Sequence, residues 1–250
     1  MLSAKPWKPN GTLILCVFIF SFYLILLFGA GLSLQFSGKK DFDHNSIAYL
    51  LLVTLSLHGV ILVATCVYLW LQRVNWAEAF GFNSPQKGHA ALWGVFAALI
   101  FLPVGYATQL LSLKVISWFT DSTEKQEAVK LLTEQKSLGN QIYMGLFAIV
   151  IAPVAEEIFF RGILYPTIKQ AGYPRIALWC TALVFGAIHL NAAIFVPLVI
   201  LALAMVFLYE KTNNLLAPIV AHSLFNTVGV IAVYSDDIGN FFYRLFHHSS

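Results

Sequence analysis

The stretch Ile151-Ala-Pro-Val-Ala-Glu-Glu-Ile-Phe-Phe-Arg-Gly-Ile-Leu164 places two adjacent carboxylates, Glu156 and Glu157, inside an otherwise apolar segment, with Arg161 four residues later. A charged side chain at the centre of a bilayer costs about 2.5–3.5 kcal/mol on insertion scales, so such groups face the protein interior and usually mark function. We therefore expect the chemistry of this protein to be located at the two glutamates.

The composition around this stretch is that of a membrane protein. Of 250 residues, 59% are hydrophobic and 11% are charged, and the mean hydropathy is +0.76. Soluble domains have about a quarter charged residues. No block of like charge appears, which argues against a nucleic-acid partner. The sequence predicts an all-α, polytopic integral membrane protein that forms a single membrane domain over residues 1–250, with the lipid bilayer as its surroundings.

Seven apolar runs are predicted as transmembrane helices, because spans of about twenty residues match a hydrocarbon core of roughly 30 Å. The fifth and sixth runs are short and nearly continuous. The predicted spans are 12–34, 47–71, 89–117, 140–168, 175–190, 192–210 and 214–234.

A polar stretch, residues 120–140, separates the third and fourth predicted spans. Charged residues alternate there with Ala and Leu, a pattern typical of one amphipathic helix lying on the membrane surface. Such a helix is either an element that guides or covers substrate or a solvated connector, and both interpretations stay open.

Lysine and arginine in the short loops favour a cytoplasmic N-terminus, by a small margin. The compact chain without targeting signals is more typical of a prokaryotic inner-membrane protein. Its oligomeric state is not predicted.

The two glutamates are expected to have different roles. Helical spacing places Glu157 and Arg161 on one face at i, i+4, in the orientation that favours an ion pair. Glu156 points about 100° away from that face. The pattern therefore predicts a structural pair between Glu157 and Arg161, and leaves Glu156 as the titratable general base.

Two later spans contain polar residues at the same helical spacing. One has Phe185-Gly-Ala-Ile-His189 and the other has His222-Ser-Leu-Phe-Asn226. With Glu156 they supply what hydrolysis by water requires: a base, imidazoles that hold the water or a metal, and an amide donor for the oxyanion. His58, in the second span, is interpreted as a packed helix contact.

Pro153 lies one turn before the glutamates and frees a backbone carbonyl. Either the resulting bend opens a polar cavity around Glu156, or it is an ordinary tolerated kink.

The ordered motifs Glu-Glu-x-x-x-Arg, Phe-x-x-x-His and His-x-x-x-Asn closely resemble those of the CAAX-processing and bacteriocin-processing (CPBP, or Abi) family of intramembrane proteases. The resemblance covers residues 139–234, the predicted catalytic core, and includes Tyr209-Glu-Lys-Thr-Asn-Asn-Leu-Leu-Ala-Pro218 ahead of the last motif. It implies an intramembrane endopeptidase. The catalytic residues that it implies are Glu156, Glu157, Arg161, His189, His222 and Asn226.

By this resemblance Glu156 is the catalytic carboxylate and shares the water with His189, while His222 and Asn226 stabilise the oxyanion. The family is described both as metalloproteases and as glutamate-dependent proteases. If a divalent metal such as zinc is used, His189 and His222, with Glu156, are the expected ligands. The motifs favour the metal-free arrangement, and no cofactor is certain.

The expected substrate is a membrane-associated peptide or the C-terminal segment of a membrane protein. Two functions of other classes remain as alternatives. One is a catalytically silent scaffold or bacteriocin-immunity protein, and the other is an ion-coupled transporter that uses the two glutamates as a relay. A transporter is expected to show matched repeats, which this sequence lacks.

Overall fold

The chain is all-α throughout the part that the structure describes. The computed structural model describes residues 2–38, 42–119, 127–135 and 137–234, and within these ranges no strand is present. The helices are α1 Pro9–Ser37, α2 Ile47–Leu71, α3 Trp76–Ala79, α4 Lys87–Ile116, α5 Glu127–Thr133, α6 Leu138–Gln170, α7 Pro174–Ala187, α8 Ala192–Thr212 and α9 Leu216–Tyr234.

Six of these helices are long and apolar enough to cross a membrane: α1, α2, α4, α6, α8 and α9. Helix α7 is apolar but shorter. At 1.5 Å per residue its 14 residues extend only about 21 Å, less than the roughly 30 Å of a hydrocarbon core. The predicted fold class, a polytopic all-α integral membrane protein, is confirmed.

The fifth predicted span, 175–190, extends too far. Helix α7 ends at Ala187, and the connection to α8 contains Leu190 in a left-handed conformation with φ 49°. Asn191 then caps α8, because its side-chain oxygen accepts from the backbone N–H groups of Ala193 and Ile194. A polar cap at this point begins a new helix, so His189 lies in a connection and not on a transmembrane helix.

Helix α6 lies between two apolar cores. One core is formed by α1, α2 and the turn around Phe80, and α6 contributes Ala155, Ile158 and Ile163 to it. The other is formed by α4, α7, α8 and α9, and α6 contributes Phe160. Because side chains on opposite faces of α6 enter different cores, the segment that carries the glutamates is enclosed by helices on both sides.

Several connections meet on one face of the bundle. The backbone N–H of Leu2 donates to Glu210, and the Ser3 N–H donates to Asn213. The Leu215 N–H donates to the carbonyl of Phe80. The N-terminal segment, the α2–α4 connection and the α8–α9 turn therefore share a face, as the predicted topology requires. Which side of the membrane this face occupies stays a prediction.

The predicted surface helix corresponds in part to α5. Its Leu131 and Leu132 are buried against Leu50 of α2 and Met144 of α6, so one apolar side of α5 packs on the bundle. The rest of the predicted segment, residues 120–126 and 136, lies outside the described residues. Neither the substrate-guiding interpretation nor the connector interpretation is tested.

Candidate active site

Helix α6 departs from regular α-helical hydrogen bonding on both sides of the glutamates. A π-helical turn spans Phe147–Ile151 before them, and a second spans Ile158–Leu164 and contains Arg161. A proline follows each turn, at 153 and 166. Such π turns are rare and occur frequently at functional sites.

Each proline leaves a backbone carbonyl without its helical donor. In the first turn the Ala152 N–H donates to Phe147, so the carbonyl of Ala148 lacks its α-helical partner. Its π-helical partner would be Pro153, which has no N–H. Asn226 of α9 supplies the missing donor, and its Nδ2 lies 2.8 Å from the Ala148 oxygen.

The second proline has the same consequence. Pro166 stands four residues after Gly162 and cannot donate to its carbonyl. The indole of Trp7 does so instead, with Nε1 2.7 Å from the Gly162 oxygen. Gly162 is required here, since a Cβ at this position would lie 2.8 Å from the ring of Phe80. Two distant side chains thus satisfy the two carbonyls that the prolines release.

Glu157 is the most enclosed carboxylate of the site. Its side chain is 0% exposed, and its Oε1 accepts from Arg161 Nη1 at 2.9 Å and from His222 Nδ1 at 2.8 Å. The predicted i, i+4 ion pair is therefore present. His222 adds a donor from α9, which fixes this carboxylate against a second helix.

The ring of Phe185 lies at the centre of the arrangement and is fully buried. The Arg161 guanidinium carbon is 4.6 Å from its centroid, a distance typical of a cation–π contact. The imidazoles of His189 and His222 lie 5.1 and 5.8 Å from the same centroid. The phenylalanine of the second motif therefore holds the residues of all three motifs around one ring.

The two oxygens of Glu156 face different residues. Oε1 lies 3.0 Å from His58 Nε2, within hydrogen-bond distance, and Oε2 lies 3.7 Å from His222 Nε2, which is too long for a direct hydrogen bond. His222 already donates its Nδ1 hydrogen to Glu157, so its Nε2 carries the lone pair in the neutral ring. Glu156 Oε2 and His222 Nε2 are thus two acceptors that face each other.

His189 is brought near Glu156, although it lies beyond the end of α7. Its Nδ1 is 2.8 Å from the carbonyl oxygen of Phe185, and because a carbonyl only accepts, Nδ1 carries the hydrogen. Its Nε2 therefore has the lone pair, as in His222. The ring lies within electrostatic interaction distance of Glu156.

Asn226 was predicted to stabilise the oxyanion, but its described contact is with the backbone of α6. It does not contact Glu156 in the contacts described, and its amide holds the Ala148 carbonyl. An amide nitrogen has two hydrogens, so one remains for another acceptor.

His58 contacts the site, although its position in the sequence was interpreted as simple packing. It belongs to a third π turn, Leu55–Gly59 of α2, and its ring also packs edge-on against Phe147 at 5.0 Å. The signal that could have identified it is an ionisable residue inside a transmembrane segment, which by default has a polar partner. The partner itself depends on how α2 packs against α6, which periodicity does not encode.

The zinc site considered from the sequence is not supported. Within the described ranges no group of three or more His, Cys, Asp or Glu side chains is arranged to hold a metal ion. A catalytic zinc needs three protein ligands and an open position. The rings of His222 and His189 have their Nδ1 atoms engaged with Glu157 and with the Phe185 carbonyl, so only their Nε2 atoms remain as possible ligands.

Some buried polar atoms of the site have no hydrogen-bond partner in the part of the chain that is described: Glu157 Oε2, Arg161 Nη2 and His58 Nδ1. More than nine-tenths of buried polar groups in proteins are paired. These unpaired atoms all lie beside the two carboxylates.

The fold and the site together define a polytopic helical membrane protein with a buried carboxylate pair surrounded by imidazoles. Residues 138–228 match the family model described as type II CAAX prenyl endopeptidase Rce1-like. This match confirms the resemblance to the CPBP family, and it includes all three motifs.

Three curated proteins are similar to this chain, and the name of one of them, a membrane peptidase, agrees with the family match. This chain is 26% identical over 141 positions to "Uncharacterized protein YpbD" of Bacillus subtilis (strain 168). The aligned positions cover 54% of this chain and 65% of YpbD, so the chain spans just under two thirds of the length of that relative. "Putative membrane peptidase YdiL" of the same organism is 23% identical and covers 86% of this chain and 87% of its own length. "UPF0177 protein YxdF" of Lactococcus lactis subsp. lactis (strain IL1403) is 24% identical over 56% of this chain and 76% of that protein. No solved structure matches the chain significantly.

Proposed function

We propose that this protein is an intramembrane endopeptidase that hydrolyses a peptide bond with a water activated by Glu156 and its neighbouring imidazoles. The observation that carries the proposal is the arrangement of acceptors: Glu156 Oε2 faces His222 Nε2 at 3.7 Å inside a membrane helix. The match to an endopeptidase family and the relative named as a membrane peptidase support the same reaction class.

In this mechanism a water binds against Glu156 and His189 and attacks the carbonyl carbon of the substrate. Glu156 accepts a proton from the water as the new carbon–oxygen bond forms. The negative charge on the carbonyl oxygen is then stabilised by donors from α9. The amide hydrogen of Asn226 that Ala148 does not use is available for this purpose. His222 can donate from Nε2 only when its ring is protonated, because its Nδ1 hydrogen is bonded to Glu157.

Collapse of the tetrahedral intermediate breaks the carbon–nitrogen bond. Glu156 returns its proton to the leaving nitrogen, so the products are a carboxylic acid and an amine and the enzyme is regenerated. The acid then loses its proton to the amine or to solvent. Glu157 and Arg161 take no part in the proton transfer. They keep α6 and α9 in register through the shared contact with His222.

The substrate in this proposal is a membrane-associated peptide or the C-terminal segment of a membrane protein. Substrates of this kind include prenylated CAAX proteins, bacteriocin-like peptides and C-terminally sorted surface proteins. A site enclosed by transmembrane helices selects chains that already lie in or at the bilayer.

The test is a mass-spectrometric comparison of protein C-termini in membranes from cells that express the wild type, Glu156→Gln or Glu78→Gln. Gln has nearly the shape of Glu but cannot accept the proton. Glu78 is an exposed acid on α3 and serves as the matched control. We expect C-termini that occur with the wild type and with Glu78→Gln and are lost with Glu156→Gln.

Equal abundance of the three proteins must be established by immunoblot. Identical C-terminal profiles at equal abundance would overturn the proposal. That outcome would favour a scaffold or immunity role, in which the glutamates act in binding.

A further inference from the structure

A histidine outside all three motifs makes the shortest contact of Glu156 among those described. The His58 Nε2 atom lies 3.0 Å from Glu156 Oε1, and the two residues come from different transmembrane helices, 98 positions apart. Both side chains are largely buried, with 16% and 10% of their surface exposed. The contact is therefore shielded from water.

The protonation of this pair follows from its partners. An ionised carboxylate only accepts, so His58 Nε2 carries the hydrogen of the bond. The other ring nitrogen, Nδ1, is buried and has no partner within the described ranges. In the neutral ring Nδ1 has only a lone pair, whereas in the charged ring it has an N–H. A buried lone pair without a partner costs less free energy than a buried charged N–H without one, so the neutral ring with its hydrogen on Nε2 fits this position.

Because of this contact, the two carboxylate oxygens of Glu156 have different neighbours. His58 occupies Oε1 and leaves Oε2 turned toward His222. Without the donor on Oε1, the carboxylate could rotate about its terminal bonds and present either oxygen in several directions. General-base catalysis depends on the alignment of one lone pair with the proton that it accepts.

The backbone around His58 is adapted to this contact. The residue stands in one of the three π turns of the described chain, and each of these turns supplies a site contact: His58 from Leu55–Gly59, the Ala148 carbonyl from Phe147–Ile151, and Arg161 from Ile158–Leu164. A π turn changes the direction of the side chains within it relative to a regular α-helix. Packing of the imidazole against Phe147 fixes the ring from the other side.

We propose that His58 is a positioning residue for Glu156: it holds Oε1 so that Oε2 faces His222 and the attacking water. This inference rests on the proposed endopeptidase function, since it assigns a task in the same reaction. It adds to the three motifs a fourth position, on a helix outside residues 138–228.

The test compares His58→Gln with His58→Leu. The Gln side-chain amide can place an N–H near the position of the imidazole Nε2, whereas Leu has no donor. His89→Leu is the matched control, because His89 is an exposed histidine at the start of α4. The substrate is a peptide that spans a cleavage site mapped by the C-terminal profiles, and kcat, KM and thermal stability are measured for each purified protein.

We expect His58→Leu to lower kcat by about 10- to 100-fold with KM little changed, since misaligned groups cost rates of this order. His58→Gln should recover most of kcat, and His89→Leu should behave as the wild type. A purely structural role would instead lower the melting temperature of both His58 variants, with no rescue of kcat by Gln.

Two results with the His58 variants would overturn the inference. Wild-type kcat in His58→Leu would do so, and so would equal kcat losses in the Leu and Gln variants. If Glu156→Gln abolishes cleavage while His58→Leu does not affect it, only the role of His58 fails. If Glu156→Gln itself leaves the C-terminal profile unchanged, the endopeptidase proposal fails and the role of His58 fails with it.

Discussion

Two clusters of charged residues in this protein each have a glutamate carboxylate at the centre, and they differ in how completely their polar atoms are paired. In the first, which we name the Glu210 cluster, Glu210 accepts from the Tyr165 hydroxyl at 2.9 Å and from the Leu2 N–H at 3.2 Å, and it also contacts the Lys169 ammonium. Both carboxylate oxygens of Glu210 therefore have donors, although its side chain is 23% exposed and could use water.

The second, the dicarboxylate cluster of Glu156, Glu157, Arg161, His58 and His222, has the opposite character. Its central carboxylate is fully buried, yet one oxygen of Glu157 and one nitrogen of Arg161 lack partners among the described residues. Selection for stability alone would satisfy the buried cluster first, because unpaired polar atoms cost most where water is excluded. The difference indicates that the Glu210 cluster fastens helices, whereas the dicarboxylate cluster is not built for stability alone.

The largest expected effect is a loss of cleavage on substitution of Glu156, which we do not expect for the Glu210 cluster. Glu156→Gln should lower the cleavage rate by at least about 100-fold, as expected for loss of a general base. The melting temperature should stay near that of the wild type, because Gln keeps the shape of the side chain and can still accept from His58. A peptide-cleavage assay and a thermal melt of the same preparation provide both values, and retained cleavage would contradict the assignment.

The next effect is on stability within the dicarboxylate cluster. Arg161→Ala leaves Glu157 as a buried charge without its ion-pair partner, and removal of one member of such a pair costs about 3–5 kcal/mol. Arg175→Ala, at an exposed arginine, is the control and should melt like the wild type. An unchanged melting temperature in Arg161→Ala would contradict the importance of the pair.

A smaller loss is expected where the N-terminal segment meets α6. Trp7→Phe keeps an aromatic ring beside Phe80 but removes the N–H that donates to the Gly162 carbonyl. An unsatisfied buried acceptor costs about 1–3 kcal/mol. The control is Trp70→Phe, because Trp70 is 77% exposed, and equal melting temperatures for the two variants would contradict the role of the indole.

The smallest effect tests the Glu210 cluster itself. Glu210→Gln keeps acceptor and donor atoms near Tyr165 and Lys169, so we expect a loss of about 1 kcal/mol or less, as for partly exposed ion pairs. Cleavage should match that of the wild type. A loss of cleavage comparable to that of Glu156→Gln would remove the distinction between the two clusters.

The sequence was sufficient for the features that depend on local spacing. The second span was predicted at 47–71 and is found at Ile47–Leu71, because the length of an apolar run follows from the thickness of the membrane. The pair of Glu157 with Arg161 follows from i, i+4 geometry in the same way.

The features that the sequence did not reveal depend on how distant segments meet. The contact of His58 with Glu156 requires the packing of α2 against α6. Asn226 was expected to serve the oxyanion, but its contact with the Ala148 carbonyl depends on a π turn that shifts one hydrogen bond. Neither hydrophobic periodicity nor motif spacing encodes these shifts, since both assume regular helices.

The two carbonyls released by the prolines of α6 also have a consequence for biosynthesis. Trp7 is separated from Gly162 by 155 positions, and Asn226 from Ala148 by 78. A carbonyl exposed to lipid without a donor costs several kcal/mol, so α6 is poorly stable in the bilayer until both partners have docked. Translation delivers Asn226 only after α6 and α7 have been synthesised. The geometry of the glutamates is therefore completed only when α9 has joined the bundle.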